Sequence, residues 1–412
     1  MTPPTSRLVP SRRGKPGDDP IFALNAEANA RRARGEAVVN ATLGALQRDD
    51  GTLAVLPTAA RAVRETPAGE WAAYAPIAGP PAFLAAVVED VFRGRPTRAA
   101  QVTAAATPGG SGALRHAVAC FLEPGQALLC SSFYWGPYAT IAEECLRKVE
   151  TFRMFAPSGA LDVGDLDRAL GEQAQRQGRA LVILNDPCHN PTGYSMSAAD
   201  WEATAAVVAR HAERMPVTVV LDAAYAAYGP AGGVGVPLDA LETVCDRALV
   251  LHAWSASKSF THYGLRVGAL LAVVPDPAER RDVAAAVAFA CRGTWSNCNR
   301  GGMHAVTRLL SDAALREAVD AERRDLVGLL GERVAAFNRE ARAAGLRHPR
   351  YDGGFFVTVF CDVPGEAAQR MREDGVYVVP VDGGLRVGIC SVRASDVPRL
   401  VTSMSAALAA GR

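Results

Sequence analysis

Lysine is scarce in this chain: of 44 basic residues only Lys15, Lys148 and Lys258 are not arginine. Acidic residues number 43, so the formal net charge is +1. That balance gives no field for gripping nucleic acid or an anionic membrane surface. No apolar run reaches the roughly 18–20 residues that a membrane-spanning helix needs. The opening stretch MTPPTSRLVPSRRGKPGDDP has basic residues but no apolar core, which argues against a secretory signal. The nine cysteines include no C-x-x-C pair, so neither a metal site nor a redox motif is indicated. Most lie in apolar runs, and the expectation is a cytoplasmic protein with reduced thiols. Apolar residues at 49% and charged residues at 21% exclude collagen-like and wholly disordered chains.

The shortage of lysine makes each one informative. Arginine stays protonated, whereas a lysine can lose its proton and form an imine. A lysine retained against so strong an arginine preference is a candidate for chemistry. Lys15 lies in a Pro/Gly-rich tail and Lys148 reads as a charged helix end, so both are expected on the solvated surface. Lys258 sits in HAWSASKSFTHYGLRVGAL, among small, hydroxyl and aromatic residues.

At about 150 residues per domain, the length suggests two to three domains, or a large domain with a smaller companion. Residues 1–19 read as a flexible arm. Near-continuous apolar runs at Ala180–Asn185, Val217–Asp222, Ala248–Trp254 and Gly268–Val274 predict strands of a sheet covered on both faces. Helical spacing over Ser197–Arg214 and Leu238–Asp246 makes βαβ units and a mainly parallel sheet. A long helix is predicted over about 312–344, with Leu326, Leu329, Leu330, Val334 and Phe337 on one face and Gly345 as a stop. Strands at Phe355–Phe360, Val376–Val379 and Leu385–Ile389 and a helix from about 395 complete a smaller α+β unit. The expected division is a large domain over 58–315 and a discontinuous small domain from 20–57 and 316–412.

Four constellations carry chemistry. In GGSGALRHAVACFL a Gly-rich turn opens a helix, whose free N–H groups near Gly110 and the Ser111 hydroxyl suit an anion. An ordinary flexible turn gives the same pattern. In NDPCHNPTGYS a buried strand runs into Asn190-Pro191, which presents Asn190 where open α/β sheets bind ligands; a plain Asn-Pro turn is the alternative. In VVLDAAYAAYG, Asp222 ends an apolar strand and Tyr225 follows; a helix N-cap is the alternative for Asp222. Around Lys258 lie Ser255, Ser257 and Arg266: an amine, two hydroxyls and a bidentate anion binder. Together they describe a site for an aldehyde cofactor bearing a phosphate and a basic ring nitrogen.

On these residues the chain resembles fold-type-I pyridoxal-phosphate enzymes, specifically the class I aspartate/aromatic aminotransferases, from about residue 20 to the end. The markers are Tyr74 to Gly79 (Y-x-P-I-x-G), Gly110 to Arg115, Tyr134-Trp135-Gly136, His189 to Gly193, Asp222 to Tyr225, Ser255 to Gly268, Trp295 to Asn297, and Arg386. The resemblance implies an aspartate aminotransferase-like α/β fold. It implies that Lys258 holds pyridoxal 5′-phosphate as a Schiff base and then moves the substrate Cα proton. Asp222 would pair with the pyridine nitrogen, and Tyr225 and Asn190 would hydrogen-bond the ring's phenolate oxygen and lower the imine pKa. Trp135 would stack on the ring, while Gly110, Ser111, Ser255, Ser257 and Arg266 hold the phosphate. Tyr74 would reach the phosphate of a neighbouring subunit, implying a homodimer with shared sites.

For the substrate, the resemblance implies that Arg386 grips the α-carboxylate and that Arg292 crosses the dimer interface to a distal carboxylate. The alternative for Arg292 is an interface ion pair. Asn190 and Trp135 would also face the substrate. Thr42, Tyr138, Gly109 and Arg300 depart from the family's usual residues, Thr42 by narrowing the pocket or changing its chemistry and Arg300 by offering a second guanidinium. The Asn190–Pro191 bond is expected to be cis. The expected reaction is amino transfer from an acidic or aromatic L-amino acid to a 2-oxo acid such as 2-oxoglutarate. The alternative is a pyridoxal-phosphate enzyme of specialised metabolism acting by elimination, replacement or C–C bond formation at Cβ or Cγ. A regulator with a degenerate site is disfavoured, because Lys258, Asp222, Tyr225 and Arg266 are all present.

Overall fold

The computed structural model describes residues 7–17, 20–230 and 234–410. Twelve strands run along it: β1 (Val39–Asn40), β2 (Val102–Pro108), β3 (Ala127–Ser131), β4 (Lys148–Phe152), β5 (Ala180–Asn185), β6 (Val217–Asp222), β7 (Leu249–Ser255), β8 (Val267–Val273), β9 (Phe356–Phe360), β10 (Val376–Tyr377), β11 (Val379–Val381) and β12 (Gly384–Gly388). Seven of them form the central sheet in the order β2-β8-β7-β6-β5-β3-β4, in which only β8 runs against its neighbours.

β5 and β6 begin and end where their apolar runs do, because every residue in them is buried. Alternate side chains serve two cores. Leu181, Ile183, Val220, Leu251 and Leu270 pack on the helix Gly109–Phe121 through its Leu114, Ala117 and Val118. Val182, Leu184, Val219, Leu221 and Leu271 face the other core. A sheet covered on both sides needs this uninterrupted apolar content.

The register brings the chemistry to one edge. Asn185 at the end of β5 pairs with Asp222 at the end of β6, and Asp222 with Ala253 of β7. Ser255 at the end of β7 pairs with Gly268, and Pro108 at the end of β2 with Val267. Because β8 is antiparallel, its first residues, just after Arg266, lie at the carboxyl edge of the other strands. Open α/β sheets bind their ligands at that edge.

The C-terminal part is a three-stranded antiparallel sheet, β11-β12-β9, packed with the long helix Ala313–Ala343. On that helix Leu326, Leu330, Val334 and Phe337 are buried, while Leu329 is half-buried. β1 pairs in parallel with β10, which ties the segment before residue 57 to the C-terminal part. The run Val376–Val379 divides between two sheets, with Val378 as the pivot, so one apolar run makes two short strands. Lys148 opens strand β4 instead of ending a helix, and it is exposed.

Of the expected arm, residues 1–6, 18 and 19 lie outside the described residues. Residues 7–17 are exposed, yet Arg12 and Lys15 pair with Glu144 and Glu143 at the end of the helix Pro137–Glu144. No described helix is long and apolar enough to cross a membrane.

Candidate active site

A cavity of about 350 Å³ opens at the carboxyl edge of the sheet. Gly110 and Arg266 line one part of it. Gly109 has φ +72°, and a Cβ there would lie 2.5 Å from the Arg266 Nη2 atom. A side-chain-bearing residue at 109 would be strained by the backbone and would require the guanidinium to shift. Arg266 itself holds φ +55°, a left-handed conformation unfavourable for a side-chain-bearing residue. Its Nη1 donates to Ser257 Oγ at 3.3 Å and to the Tyr263 carbonyl at 2.9 Å. The Ser255 hydroxyl accepts from the Ser257 N–H at 3.2 Å, fixing the turn before Lys258. Gly110, Ser111, Ser255, Ser257 and Arg266 all line this cavity. Three hydroxyls, a helix start and a guanidinium make an anion cradle.

Lys258 projects into the same cavity from the turn after β7. Its Nζ donates to the Gly44 carbonyl at 3.2 Å and lies 4.7 Å from the centre of the Tyr263 ring. Burial, aided by Arg266, pushes its pKa down to about 8. A substantial fraction of the amine is thus neutral, and nucleophilic, near physiological pH.

Asp222 is buried, and burial raises its pKa. Its Oδ2 accepts from the Tyr138 hydroxyl at 2.6 Å and its Oδ1 from the Ala224 N–H at 3.3 Å. No α-helix starts there, so the N-cap alternative is set aside. Tyr225 is buried, with its pKa pushed up by burial and held partly down by a hydrogen bond from Asn190. Asn190 is aimed by a relay: its N–H donates to Asn185 Oδ1 at 2.6 Å, and Asn185 Nδ2 donates to the Asp222 carbonyl at 2.7 Å. The Asn190–Pro191 bond is cis, and so is Asp186–Pro187. Trp135, Asn190 and Tyr225 line the cavity with Lys258 and Asp222.

The remaining expected residues lie off this cavity. Arg386 is buried in the middle of β12, with its guanidinium 4.6 Å from the Phe356 ring and its Nη2 donating to the Thr42 carbonyl at 2.7 Å. Thr42 turns its hydroxyl to Asn40 Oδ1 at 2.7 Å, and its carbonyl meets Arg386. Arg292 is exposed and donates to Ser296 Oγ at 2.6 Å. Tyr74 is 87% exposed, outside this cavity. Arg300 pairs with Glu70 at 2.9 Å and donates to the Tyr74 carbonyl at 3.0 Å.

Four residues of the site escape sequence reasoning. Asn185, a polar residue closing an apolar strand, and Tyr263, near Lys258, carry local signals. Phe22 carries none, since it reaches the cavity from the helix Pro20–Ala33. Tyr138 stands out only as a departure. A larger cavity of about 770 Å³, bordered by Arg93, His252 and Arg324, shares only Ser255 with the expected set.

A buried, partly neutral lysine, a buried carboxylate and an arginine-and-hydroxyl cradle around one cavity define an enzyme that handles an anionic carbonyl compound. The family described as aminotransferase class I and II matches residues 37–404, and the chain belongs to it. The aromatic-amino-acid aminotransferase of Pseudomonas aeruginosa is 28% identical over 308 residues, 73% of each chain. The tyrosine aminotransferase of Rhizobium meliloti is 30% identical over 312 residues, covering 72% of this chain and 75% of that one. A crystal structure of an aminotransferase from Anaerococcus prevotii has a TM-score of 0.92 at 29% identity, covering 98% and 99% of the two chains. The protein is a pyridoxal-phosphate-dependent aminotransferase acting on amino and oxo acids.

The residues present fit that cofactor. Asn190 Oδ1 is buried without a partner among the described residues, beside Tyr225. A polar ring substituent entering the cavity would satisfy it.

Proposed function

We propose that the chain transfers the amino group of an acidic or aromatic L-amino acid to a 2-oxo acid such as 2-oxoglutarate. The observation that carries this reading is the facing of Lys258 and Asp222 in one cavity with the Arg266 cradle. Bound pyridoxal phosphate supplies a carbonyl for the amino group and a ring that takes up electrons from Cα. Lys258 would hold the cofactor covalently and would move the proton at the substrate Cα. Asp222 would keep a proton on the ring nitrogen, and Tyr225 and Asn190 would bind the ring oxygen. Trp135 would stack on the ring. Gly110, Ser111, Ser255, Ser257 and Arg266 would bind the phosphate.

Arg386 grips the substrate α-carboxylate, with the Thr42 carbonyl orienting its guanidinium. Tyr74 and Arg292 serve the partner subunit's site in a homodimer, which is consistent with their exposure outside their own cavity. The division into 58–315 and a discontinuous 20–57 with 316–412 is supported by the β1–β10 pairing. A cytoplasmic location is supported by nine free cysteines, mostly buried. Relatives named for aromatic amino acids, tyrosine and aspartate support the donor class.

The test is a spectroscopic screen of amino acids against the loaded enzyme, with mass analysis of products. Aromatic and acidic donors are expected to convert the cofactor to its amine form and yield the matching 2-oxo acid. Conversion by neither class, or products of elimination only, overturns the proposal.

A further inference from the structure

Tyr138 lies in the first turn of the helix Pro137–Glu144, which Pro137 starts by fixing its first backbone angle. It is 2% exposed and its hydroxyl donates to Asp222 Oδ2 at 2.6 Å. The remaining Asp222 oxygen, Oδ1, accepts a long bond from the Ala224 N–H, at 3.3 Å, and Asp222 borders the cavity. The Tyr138 ring also meets Trp135 edge-on, at 5.7 Å and 88°, and lies parallel to Tyr134 at 6.4 Å. One side chain thus touches both the acid and the indole of the proposed cofactor site.

The chemistry of the pair is directional. A phenol donates one proton and cannot supply a positive charge. Burial and the neighbouring carboxylate hold the Tyr138 hydroxyl well above its usual pKa, so it stays a donor. Burial raises the pKa of Asp222, and the bond from Tyr138 is the largest influence lowering it. The other influences on Asp222 are the Ala224 N–H and the Lys258 charge; Tyr138 in turn faces Cys130 of β3 and Tyr225. The Cys130 thiol and the Tyr225 phenol are both pushed up by burial and remain protonated.

We propose that Tyr138 is a positioning residue for amino transfer, holding Asp222 ionised and aimed through one neutral hydrogen bond while its ring orients Trp135. This rests on the role proposed for Asp222. It also gives the Tyr at this position, a departure from the family's usual residue, a function of its own.

The test compares Tyr138→Phe, Asp222→Asn and the double variant. Pyridoxal-phosphate affinity of the cofactor-stripped protein is measured by quenching of tryptophan fluorescence across pH, with thermal melting as the folding control. Tyr138→Phe keeps the ring and removes only the hydroxyl. Its affinity is expected to fall about tenfold, the scale of a hydrogen bond to a charged group. The acid pH at which binding is lost is expected to rise, because Asp222 then protonates more easily. In the Asp222→Asn background the same change is expected to alter affinity less than about twofold.

Unchanged affinity and acid limb in Tyr138→Phe, with Asp222→Asn impaired, overturn the proposal alone. An equal loss in both backgrounds also overturns it, since that marks a packing role. An Asp222→Asn variant with full affinity brings down the Asp222 assignment and the proposal with it. Should Tyr138→Phe not fold, 3-fluorotyrosine placed at 138 by nonsense suppression provides a stronger donor, and the acid limb should move to lower pH. An unmoved limb counts against the proposal.

Discussion

Burial separates Lys258 from an ordinary lysine. Its pKa, pushed down to about 8, makes its reactivity titrate near physiological pH. Labelling by a small amine-selective reagent, read by mass spectrometry, should show a midpoint near pH 8 at Lys258; a midpoint near that of free lysine contradicts this. The sign for stability follows from the same shift. In the window between about 8 and the ordinary value of 10.5, the unfolded chain binds the proton that the folded chain has released. Raising pH through that window therefore stabilises the fold of the cofactor-free protein. Arg386 makes a second point at this scale. Its fork suits a carboxylate in a way a lysine cannot copy, so Arg386→Lys should raise KM for the amino acid about ten- to a hundredfold, or ~1.5–3 kcal/mol. Steady-state kinetics check it: a KM within twofold of wild type contradicts the role.

Among the elements, the site depends on strand ends that share one register and on loops held by close backbone approach. Gly193 has φ +75°, and a Cβ there would lie 2.2 Å from the Phe356 carbonyl oxygen. Gly193→Ala should therefore destabilise the fold by about 1–3 kcal/mol and shift the turn bearing Asn190. Denaturant unfolding measures the first effect and cofactor affinity the second; unchanged values in both contradict the reading. The strands β5 and β6 were legible from sequence because both faces are buried and apolar content runs unbroken. β10 and β11 were not, since an apolar run does not reveal that the chain leaves one sheet for another at Val378. Asp222 and Arg266 were legible because one closes a strand of that sheet and the other directly precedes one, and Lys258 because lysine is so scarce in this chain. Phe22 was not, because its place depends on how the first long helix docks. The orientation of Thr42 was not legible for a similar reason: sequence fixes the residue type, but Asn40 decides where its hydroxyl turns.

At the scale of the whole molecule, one protomer leaves large apolar side chains in water. Trp71 is 66% exposed, Tyr74 87% and Phe289 83%. Arg300 holds the Tyr74 segment through Glu70 and the Tyr74 carbonyl. In the proposed homodimer Tyr74 completes the partner's phosphate site. Mixing Tyr74→Ala chains with Lys258→Ala chains after unfolding and refolding should then produce one intact site per mixed dimer. Activity should rise above that of either parent; no rise contradicts shared sites.

The most direct measurement is the attachment point of the cofactor. The protein is incubated with pyridoxal phosphate, reduced with borohydride, digested and mapped by mass spectrometry. With lysine at only three positions, the outcome is read on three peptides. The expected result is modification of Lys258 alone, and none in Lys258→Ala. Modification centred on Lys15 or Lys148, or none in the wild-type chain, would contradict the central claim.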